Sequence, residues 1–317
     1  MRTIFLDYDT VSNGDLDASR ITRVAGEVRF HAFTADSQIA ERIADAEVVL
    51  VNKAKLPRAC LEGARALKLI ALAATGTDNV DLAAAQALGI AVCNVRGYCT
   101  ASVVQHAWAM ILSLNQHLAA YARVAADGTW IKNEESALLA YPIRELAGLT
   151  LGIIGWGTLG RGVANIAEAF GMRVIVGNRP GAAPDPKRVA PEELLRAADI
   201  VSLHCPLSAA TRGMIGAREL ELMKPDALLI NTARGALVDG HALAAALKAR
   251  RLGGAGIDVL PQEPPIDGDP LLDPAIPNLI VTPHVAWAAR DARQRCLDEM
   301  AANIEDFLRG GRRGRVM

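Results

Sequence analysis

The sequence predicts an α/β protein that consists of two doubly wound domains. Short apolar runs alternate with helical stretches along most of the 317 residues, which is the pattern of parallel sheets covered by helices. A chain of this length is sufficient for two domains, and its 51% of hydrophobic residues is sufficient for sizeable cores. The apolar runs become regularly spaced after residue 149, and we therefore expect a second, larger sheet from this point onward.

The first sheet is predicted from short apolar runs with Ala-rich helical segments between them. The predicted strands are 4–6, 48–51, 69–73 and 90–93. The predicted helices are 36–44 and 81–88, and Gly89 is a typical residue for the end of the second. A long apolar-periodic helix at about 100–123 follows, and then an irregular arm at 126–145.

Six strands joined by crossovers are expected in the second sheet, as in a doubly wound fold. The predicted strands are 150–154, 173–177, 200–204, 227–231, 255–259 and 279–282. The connections at 159–170, 191–197, 219–223 and 241–249 are predicted as helices or loops. A last helix at about 288–309 has no strand to pack on there, so we expect it to return to the first sheet. The predicted domains are 1–99 with 286–317, and 100–285, in which 100–148 holds the long helix and the arm.

The charge and the cysteines limit the classes of partner. A net charge of −1 supplies no global field toward nucleic acid or acidic membranes, and we expect neither as a partner. The amino terminus has too short an apolar run for a signal peptide, and no apolar stretch approaches the length of a membrane span. The five cysteines are scattered without a C-x-x-C pair, which favours a reducing cytoplasm and no metal site. The basic tail at 309–315 is interpreted as a solvated terminus, with a weak anion patch as the alternative.

A glycine motif follows the first strand of the second sheet. Gly155 permits a tight turn, Gly157 lets the main chain approach a pyrophosphate, and Gly160 allows close packing of helix on strand. The N–H groups of Thr158 and Leu159, at the start of the next helix, would bind the anion. Because a strand precedes the motif and a helix follows it, we expect a Rossmann-type dinucleotide-binding domain.

The end of the next strand bears on the choice of dinucleotide. An acid at this position accepts a hydrogen bond from the ribose of NAD, but here Asn178 and Arg179 occupy it. Arg179 would attract a 2′-phosphate, and Lys187 and Arg188 follow shortly after. We therefore expect NADP(H) to be favoured over NAD(H). The alternative is that Arg179 points to solvent and Asn178 holds the NAD ribose by a neutral hydrogen bond.

Three polar side chains follow predicted strands of the second sheet, where an open α/β sheet places its chemistry. Arg234 can hold a carboxylate or a carbonyl in a planar fork. The imidazole of His284 is suited to proton exchange near neutral pH, and Glu263 would accept its other ring N–H and fix the tautomer. Alone, each has a structural alternative, as a loop histidine, a solvated carboxylate or a turn cap. Behind a dinucleotide motif, the three together predict reduction of a ketone by hydride transfer.

Linked motifs in a fixed order then point to a known family. The matching segments are 74–81, 94–98, 151–160, 203–207, 223–225, 229–235, 257–259, 263–265 and 282–284. On these segments the sequence resembles the D-isomer-specific 2-hydroxyacid dehydrogenase family over essentially its whole length. Trp130 with residues 141–146, and the sequence His-Val-Ala-Trp at 284–287, resemble the glycerate dehydrogenase/hydroxypyruvate reductase branch.

The resemblance implies a fold and a function. The dinucleotide-binding domain would be inserted in a discontinuous, flavodoxin-like substrate domain, and the long helix and arm would pair two subunits as a homodimer. The chain would transfer a hydride between NAD(P)H and the C2 carbonyl of a small 2-oxo acid, such as hydroxypyruvate or glyoxylate. The alternatives are a nucleotide-sensing corepressor-like protein and a dehydrogenase of phosphoglycerate or another D-2-hydroxy acid.

The resemblance also implies roles for individual residues. Arg234, Glu263 and His284 take the catalytic places, with His284 as the acid in reduction and the base in oxidation. The substrate carboxylate would bind at Thr75 and Gly76, and the remaining implied substrate residues are Asn52, Lys53 and Trp287. Asp258 would lie near the nicotinamide, and the remaining implied cofactor residues are His204, Cys205, Pro206, Thr211, Thr232, Ala233 and Ala286.

Some positions depart from the family pattern. Arg96 stands where proline is common, Cys99 stands where a small residue is usual, and Asn178 replaces the acid. His106 occupies a variable helix position, and we interpret it as a packing residue.

Overall fold

The structure is a computed structural model that describes residues 1–132, 138–181, 183 and 185–316. Residues 133–137 of the predicted arm lie outside the described residues. The chain divides into two compact units: unit 1 comprises Met1–Thr100 with Trp287–Met317, and unit 2 comprises Ala101–Ala286. Each unit has its own parallel sheet, and the predicted fold class is confirmed.

The first part of unit 1 alternates strands and helices. Its elements in chain order are β1 (Arg2–Phe5), α1 (Ser19–Ala25), β2 (Glu27–Phe30), α2 (Asp36–Ile43), β3 (Val48–Val51), α3 (Arg58–Gly63), β4 (Leu69–Leu72), α4 (Leu82–Ala87) and β5 (Ala91–Cys93). All strand pairs in this sheet are parallel, and the order is β2-β1-β3-β4-β5, which is the order of flavodoxin-like sheets.

Unit 2 begins with two helices and continues with strands that alternate with helices. Its elements in chain order are α5 (Thr100–Asn115), α6 (Leu118–Ala126), β6 (Thr150–Ile154), α7 (Thr158–Ala169), β7 (Arg173–Gly177), α8 (Pro191–Ala197), β8 (Ile200–Leu203), α9 (Ala217–Leu222), β9 (Leu228–Asn231), α10 (Gly240–Lys248), β10 (Gly254–Ile257) and β11 (Leu279–Val281). The sheet is parallel in the order β11-β10-β9-β8-β6-β7. A single parallel bridge between Gly177 and Val189 extends it beyond β7.

The final helix, α11 (Arg290–Leu308), belongs to unit 1. It packs on α1 and β4, and it buries Cys296, Leu297, Met300 and Ile304 in the same core as Phe5. The other face of the sheet forms a second core with α2, α3 and α4. Unit 1 is therefore a sheet covered by helices on both faces, although its last helix comes from a distant part of the sequence.

A ligand is expected where the strand order of the unit 2 sheet reverses, between β6 and β8. The chain enters the sheet at β6, moves outward to β7 and then returns to pair β8 with the other side of β6. A crevice forms at such a reversal, outside the carboxyl ends of the two strands. The loops that follow β6 and β8 carry the glycine motif and residues 204–207.

The structure corrects the predicted first half in three respects. The single helix predicted at about 100–123 is two helices, because His117 has a left-handed backbone (φ 49°) between α5 and α6. The sequence does not predict strand β2, since its residues alternate between exposed and half-buried at the sheet edge and give no continuous apolar run. The helices α1 and α3 are also additions to the predicted elements.

Candidate active site

The glycine loop after β6 presents main-chain donors to open space. Gly157 is the N-cap of α7, and it has no side chain to accept from the first-turn N–H groups. A Cβ atom placed on Gly157 would meet no atom within 4 Å. The N–H groups of Thr158 and Leu159 therefore begin a helix whose amino end can receive an anion.

The other two glycines of the motif are required by close packing. A Cβ atom on Gly155, which has φ 110°, would lie 2.4 Å from the carbonyl carbon of His204. A Cβ atom on Gly160 would lie 2.2 Å from the carbonyl oxygen of Gly155. Any side chain at either position would force the main chain apart, so the loops after β6 and β8 contact each other through bare main chain at the reversal of the sheet.

The loop after β8 contains a histidine whose ring is largely enclosed. The Nε2 atom of His204 lies 2.8 Å from the hydroxyl of Ser202, and the buried Nδ1 atom has no partner in the described residues. Burial lowers the pKa of His204 to about 4, so the ring is neutral at physiological pH. Thr211 is buried and donates to the carbonyl of Pro206 at 2.9 Å, which closes the loop on itself. Burial raises the pKa of the Cys205 thiol, consistent with an inert filler.

A cavity of about 310 Å³ lies beside this loop in unit 2. Its apolar lining includes Ile154, Pro180, Leu195, Ala210 and Ile215. Flat aromatic groups bind in apolar clefts of this size, and the cavity borders the strand that precedes the glycine loop. The cavity therefore offers a place for the adenine of a dinucleotide.

The side chain of Asn178 is partly committed to its own loop. Its Oδ1 atom accepts from the N–H of Asp185 at 3.0 Å, and the carboxylate of Asp185 pairs with Arg188 at 3.1 Å. The amide NH₂ of Asn178 can donate to a ligand, and Oδ1 keeps a second lone pair. The charge of Arg179 acts on the Cys205 thiol, where it opposes the effect of burial on the pKa. The guanidinium thus lies within electrostatic range of the adenine-side loop.

The catalytic candidates follow three neighbouring strands. Arg234 follows β9, Glu263 follows β10, and His284 follows β11. The Nδ1 atom of His284 lies 2.5 Å from Oε2 of Glu263, while Oε1 of the same carboxylate accepts from the N–H of Leu260 at 2.9 Å. Both side chains are partly accessible, with 27% and 34% exposure. This contact assigns the Nδ1 edge of the ring to Glu263 and turns the Nε2 edge away from it.

Arg234 lies in a turn that packs on the Glu263 loop. The side chain of Asn231 ties the turn, because it donates to the carbonyl of Arg234 at 2.9 Å and accepts from the N–H of Ala233 at 3.0 Å. The Nη1 atom of Arg234 donates to the carbonyl of Ala233 at 2.8 Å. A Cβ atom on Gly235 would lie 2.1 Å from the carbonyl carbon of Leu260, so the two loops meet at this glycine.

Asp258 holds the turn that carries His284. The carboxylate of Asp258 is 1% exposed and accepts from the hydroxyl of Thr282 at 2.6 Å, from the N–H of Val285 at 2.9 Å and from the N–H of Ala286 at 3.0 Å. The main-chain carbonyl of Asp258 accepts from the N–H of His284 at 2.7 Å. His284 has φ 54°, a left-handed conformation that is uncommon for residues other than glycine. The hydrogen bonds to Asp258 are what hold it there.

His106 reaches this network from α5. Its Nε2 atom lies 3.0 Å from Oγ1 of Thr282 and 3.5 Å from Oδ1 of Asp258. A Cβ atom on Gly256 would lie 3.0 Å from the side chain of Met110, so α5 crosses β10 at this glycine. His106 precedes Met110 by one helical turn, and Asp258 follows Gly256 by two residues, so the crossing brings the two side chains together. The interpretation of His106 as a packing residue missed this contact, which no local sequence pattern indicates.

Apart from Arg234 and His284, the substrate-binding candidates are found in unit 1. The buried carboxylate of Asp7 accepts from the N–H groups of Asn52 at 2.9 Å, Lys53 at 2.5 Å and Ala54 at 2.8 Å. No local sequence motif indicates Asp7, which fixes the loop after β3. The Nζ atom of Lys53 lies 5.8 Å from the centre of the Trp287 ring, within the range of a cation–π contact.

The loop at Thr75 and Gly76 is also anchored. The hydroxyl of Thr75 donates to the carbonyl of Val95 at 2.7 Å, and its carbonyl accepts from the side chain of Asn94 at 2.7 Å. The side chain and the carbonyl of Thr75 are therefore engaged within unit 1.

The residues present in unit 2 fit a dinucleotide. The glycine loop offers main-chain donors and open space, and the hydroxyl oxygen of Thr232, beside Ala233 after β9, is buried without a partner in the described residues. A buried polar atom of this kind is expected where a bound ligand supplies the missing hydrogen bond. No cluster of three metal-ligating side chains occurs in the described residues. None of the helices in the same residues combines the length and the hydropathy that a membrane span needs.

Comparisons with known proteins identify the class. Residues 108–286 match the family described as D-isomer specific 2-hydroxyacid dehydrogenase, NAD binding domain. A glycerate dehydrogenase of Methylorubrum extorquens is 46% identical over 273 residues, which cover 86% of each chain. A hydroxypyruvate reductase of Blautia hydrogenotrophica is 34% identical over 316 residues, which cover 98% of each chain. The crystal structure of the TT0316 protein from Thermus thermophilus shares 35% identity over the full length of both chains, with a TM-score of 0.87.

The chain therefore belongs to the D-isomer-specific 2-hydroxyacid dehydrogenase family. It is an oxidoreductase that uses a nicotinamide cofactor to interconvert 2-oxo acids and D-2-hydroxy acids. Within the family it falls in the glycerate dehydrogenase branch, and the predicted resemblance is confirmed.

Proposed function

We propose that the protein reduces the C2 carbonyl of hydroxypyruvate to the D-2-hydroxy acid, or that of glyoxylate to glycolate, with NADPH as the favoured donor. The observation that carries this proposal is the contact of 2.5 Å between His284 and Glu263 at the carboxyl edge of a dinucleotide-binding sheet. A small polar substrate is consistent with the names of the relatives, which include glycerate dehydrogenase and hydroxypyruvate reductase.

In the proposed reaction the carbonyl group receives a hydride on carbon and a proton on oxygen, from two different sources. A reduced nicotinamide, when bound, would be the source of the hydride for C2. His284 donates a proton from Nε2 to the carbonyl oxygen, while Glu263 holds the Nδ1 proton and stabilises the imidazolium before the transfer. Arg234 binds the carbonyl or the carboxylate of the substrate as a planar donor. In oxidation the same imidazole, now neutral, accepts the hydroxyl proton.

Unit 1 is the proposed substrate domain, and unit 2 is the proposed dinucleotide-binding domain. In unit 1, main-chain N–H groups at Thr75 and Gly76 are the proposed carboxylate ligands, aided by Asn52 or Lys53. Trp287 is proposed to shield the substrate from water. The carbonyl and hydroxyl of Thr75 are held by Asn94 and Val95, which supports a loop that presents fixed main-chain donors. All five cysteines are free thiols, which is consistent with a proposed location in the reducing cytoplasm.

The preference for NADPH is supported by the groups after β7. The carbonyl oxygen of Asn178 accepts from the N–H of Asp185, its NH₂ group can donate to a ligand, and a neutral amide does not repel a phosphate as a carboxylate would. A donor suits a phosphate oxygen, and the positive charge of Arg179 adds to it. The carboxylate of Asp185 is neutralised by Arg188 at 3.1 Å, which reduces its repulsion of a phosphate.

A homodimer is proposed because α6 and the described parts of the arm expose apolar side chains. The helix α6 has no buried residue. The large apolar side chains on this segment that are more than half exposed are Leu118, Trp130, Ile131, Leu139 and Ile143. A second copy of the chain would bury them, and such patches mark protein interfaces.

A substrate panel tests the proposed function. Turnover is measured with hydroxypyruvate, glyoxylate, pyruvate, phenylpyruvate and 3-phosphohydroxypyruvate, each with NADPH and with NADH. The proposal expects the highest kcat/KM for hydroxypyruvate or glyoxylate with NADPH. Highest turnover with the phosphorylated substrate would assign a phosphoglycerate dehydrogenase instead. Tight dinucleotide binding without turnover of any substrate would favour a nucleotide sensor.

A further inference from the structure

A polar chain leads from α5 to the main chain of the catalytic histidine. The hydroxyl of Thr282 donates to Oδ1 of Asp258 at 2.6 Å, so its oxygen accepts from the Nε2–H of His106 at 3.0 Å. Asp258 in turn binds the N–H groups of Val285 and Ala286. The turn that carries His284 is thus fixed by a donor on a helix that lies far earlier in the sequence.

We propose that His106 is a positioning residue for the reaction, and that it acts on His284 through Thr282 and Asp258. The inference rests on the proposed acid–base role of His284. A threonine hydroxyl can rotate and donate its proton to other acceptors. When the Nε2–H of His106 donates to the oxygen of Thr282, the hydroxyl proton is directed to Asp258. His106 therefore orients the hydroxyl, the hydroxyl and two N–H groups hold the carboxylate, and the carboxylate holds the left-handed turn.

The strain at His284 explains why such support matters. A non-glycine residue at φ 54° relaxes toward a more common conformation when its restraints weaken. A shift of about 1 Å at a catalytic group is enough to lower a rate by roughly 100-fold. The ring of His106 itself lies outside the proposed proton transfer, because its Nε2 atom is committed to Thr282.

Two substitutions separate positioning from packing. His106→Phe keeps a planar ring of similar size but removes the donor, whereas His106→Gln loses the ring but keeps an N–H near the position of Nε2. If His106 only fills space, the Phe variant is near normal and the Gln variant is impaired. If it positions the turn, the order is reversed: kcat falls about 10- to 100-fold in His106→Phe and stays within about 3-fold in His106→Gln.

The measurements are kcat, KM, the dissociation constant of NADPH by fluorescence titration, and the primary isotope effect with deuterated NADPH. We expect His106→Phe to lower kcat and to raise the isotope effect on kcat, with NADPH affinity within about 2-fold, because the cofactor contacts of the glycine loop are unchanged. Thr282→Val, which removes the hydroxyl and keeps the shape, is expected to give the same changes. A cycle with the double variant should show no further loss, since both side chains act in one chain of contacts.

The outcomes distinguish this inference from the proposed function. Normal kcat in His106→Phe together with normal turnover of the wild type would overturn the positioning role alone. Additive losses in the double variant would overturn the route through Thr282. Absence of turnover in the wild type would overturn the proposed function. If His106→Phe fails to fold, His106→Gln still separates the two interpretations, because positioning predicts near-normal kcat and packing predicts a loss.

Discussion

The Nδ1 atom of His284 and the Oε2 atom of Glu263 lie 2.5 Å apart, although the two residues follow different strands. The second oxygen of Glu263 is held by the N–H of Leu260, so the carboxylate cannot rotate without losing a main-chain hydrogen bond. The turn of Arg234 packs on the same loop at Gly235. The orientation of the imidazole is therefore determined by main-chain contacts of two loops.

Replacement of His284 by alanine is expected to lower kcat by about 100-fold or more, because a positioned acid contributes about that factor. The dissociation constant of NADPH should stay within about 2-fold, since the glycine loop and the residues after β8 are untouched. Steady-state rates and fluorescence titration check both parts. Near-normal turnover would contradict the assignment of His284 as the acid.

Glu263→Gln is expected to lower kcat by about 10- to 100-fold with little change in NADPH affinity, because a neutral amide does not stabilise the imidazolium. Gln262→Ala is the matched control, as the neighbouring side chain is exposed and donates to Asp267 at 2.9 Å. Steady-state rates and fluorescence titration measure both variants. Equal rates for the two would exclude a specific role for the carboxylate.

Arg179→Ala is expected to raise the KM for NADPH by about 10-fold or more and to leave the KM for NADH nearly unchanged, because a hydrogen-bonded charge on a phosphate contributes roughly 1.5–3 kcal/mol. Arg196→Ala, on the exposed side of α8, serves as the control. Steady-state rates with each cofactor provide the measurement. Equal changes for the two cofactors would defeat the proposed preference for NADPH.

Asp199 supplies a prediction about acid stability. Burial alone would raise the pKa of Asp199, but the N–H of Thr150, the ammonium of Lys224 and the guanidinium of Arg144 together lower it. These contacts contribute fully to the free energy of unfolding above pH 3.8, the pKa of Asp199 in the unfolded chain. The contribution is lost as the pH falls through the lower pKa that Asp199 has in the folded protein. Asp199→Asn should cost about 2 kcal/mol at pH 7, or roughly 4–8 °C in Tm, and the difference should shrink below pH 4.

The control for Asp199 is Asp226→Asn. Asp226 also pairs with Arg144, but its side chain is 58% exposed, so its pair contributes less than about 1 kcal/mol. Chemical denaturation at pH 7 and below pH 4 measures both variants. A cost for Asp226→Asn equal to that of Asp199→Asn would mean that burial does not determine the strength of these pairs.

The apolar arm gives a prediction about assembly. Leu139→Asp places a charge on a side chain that is 91% exposed, so the fold of one subunit should be unaffected. If this segment pairs two subunits, the variant should dissociate to a monomer in light scattering coupled to size exclusion. Phe33→Asp, at an apolar side chain of unit 1 that is 69% exposed, should leave the mass unchanged. A wild-type monomer would contradict the proposed dimer.

Most of the fold was predictable from local patterns of apolar residues and glycines in the sequence. The strand β6 was predictable because five successive buried residues precede a glycine motif with a fixed spacing. The edge strand β2 was not, since Glu27 and Arg29 alternate with half-buried residues and resemble a polar loop. The break at His117 was also hidden, because apolar residues continue with helical spacing on both sides of the left-handed residue.

The site was predictable only where its residues follow strands in a known order. Glu263 and His284 could be paired from their positions after adjacent strands. Asp7 and His106 could not, because their roles depend on a main-chain loop and a helix crossing that the sequence does not encode locally. Close approaches between residues that are distant in sequence, such as that of Met110 to Gly256, are known only from the three-dimensional structure.

The distant origin of α11 has a consequence during synthesis on the ribosome. Every strand of unit 2 leaves the exit tunnel before the last helix does, and until that helix emerges one face of the unit 1 sheet is covered only in part, by α1. We expect the nucleotide-binding portion of the nascent chain to fold first, and the amino-terminal portion to wait with Leu69 and Ala71 in contact with water or a chaperone.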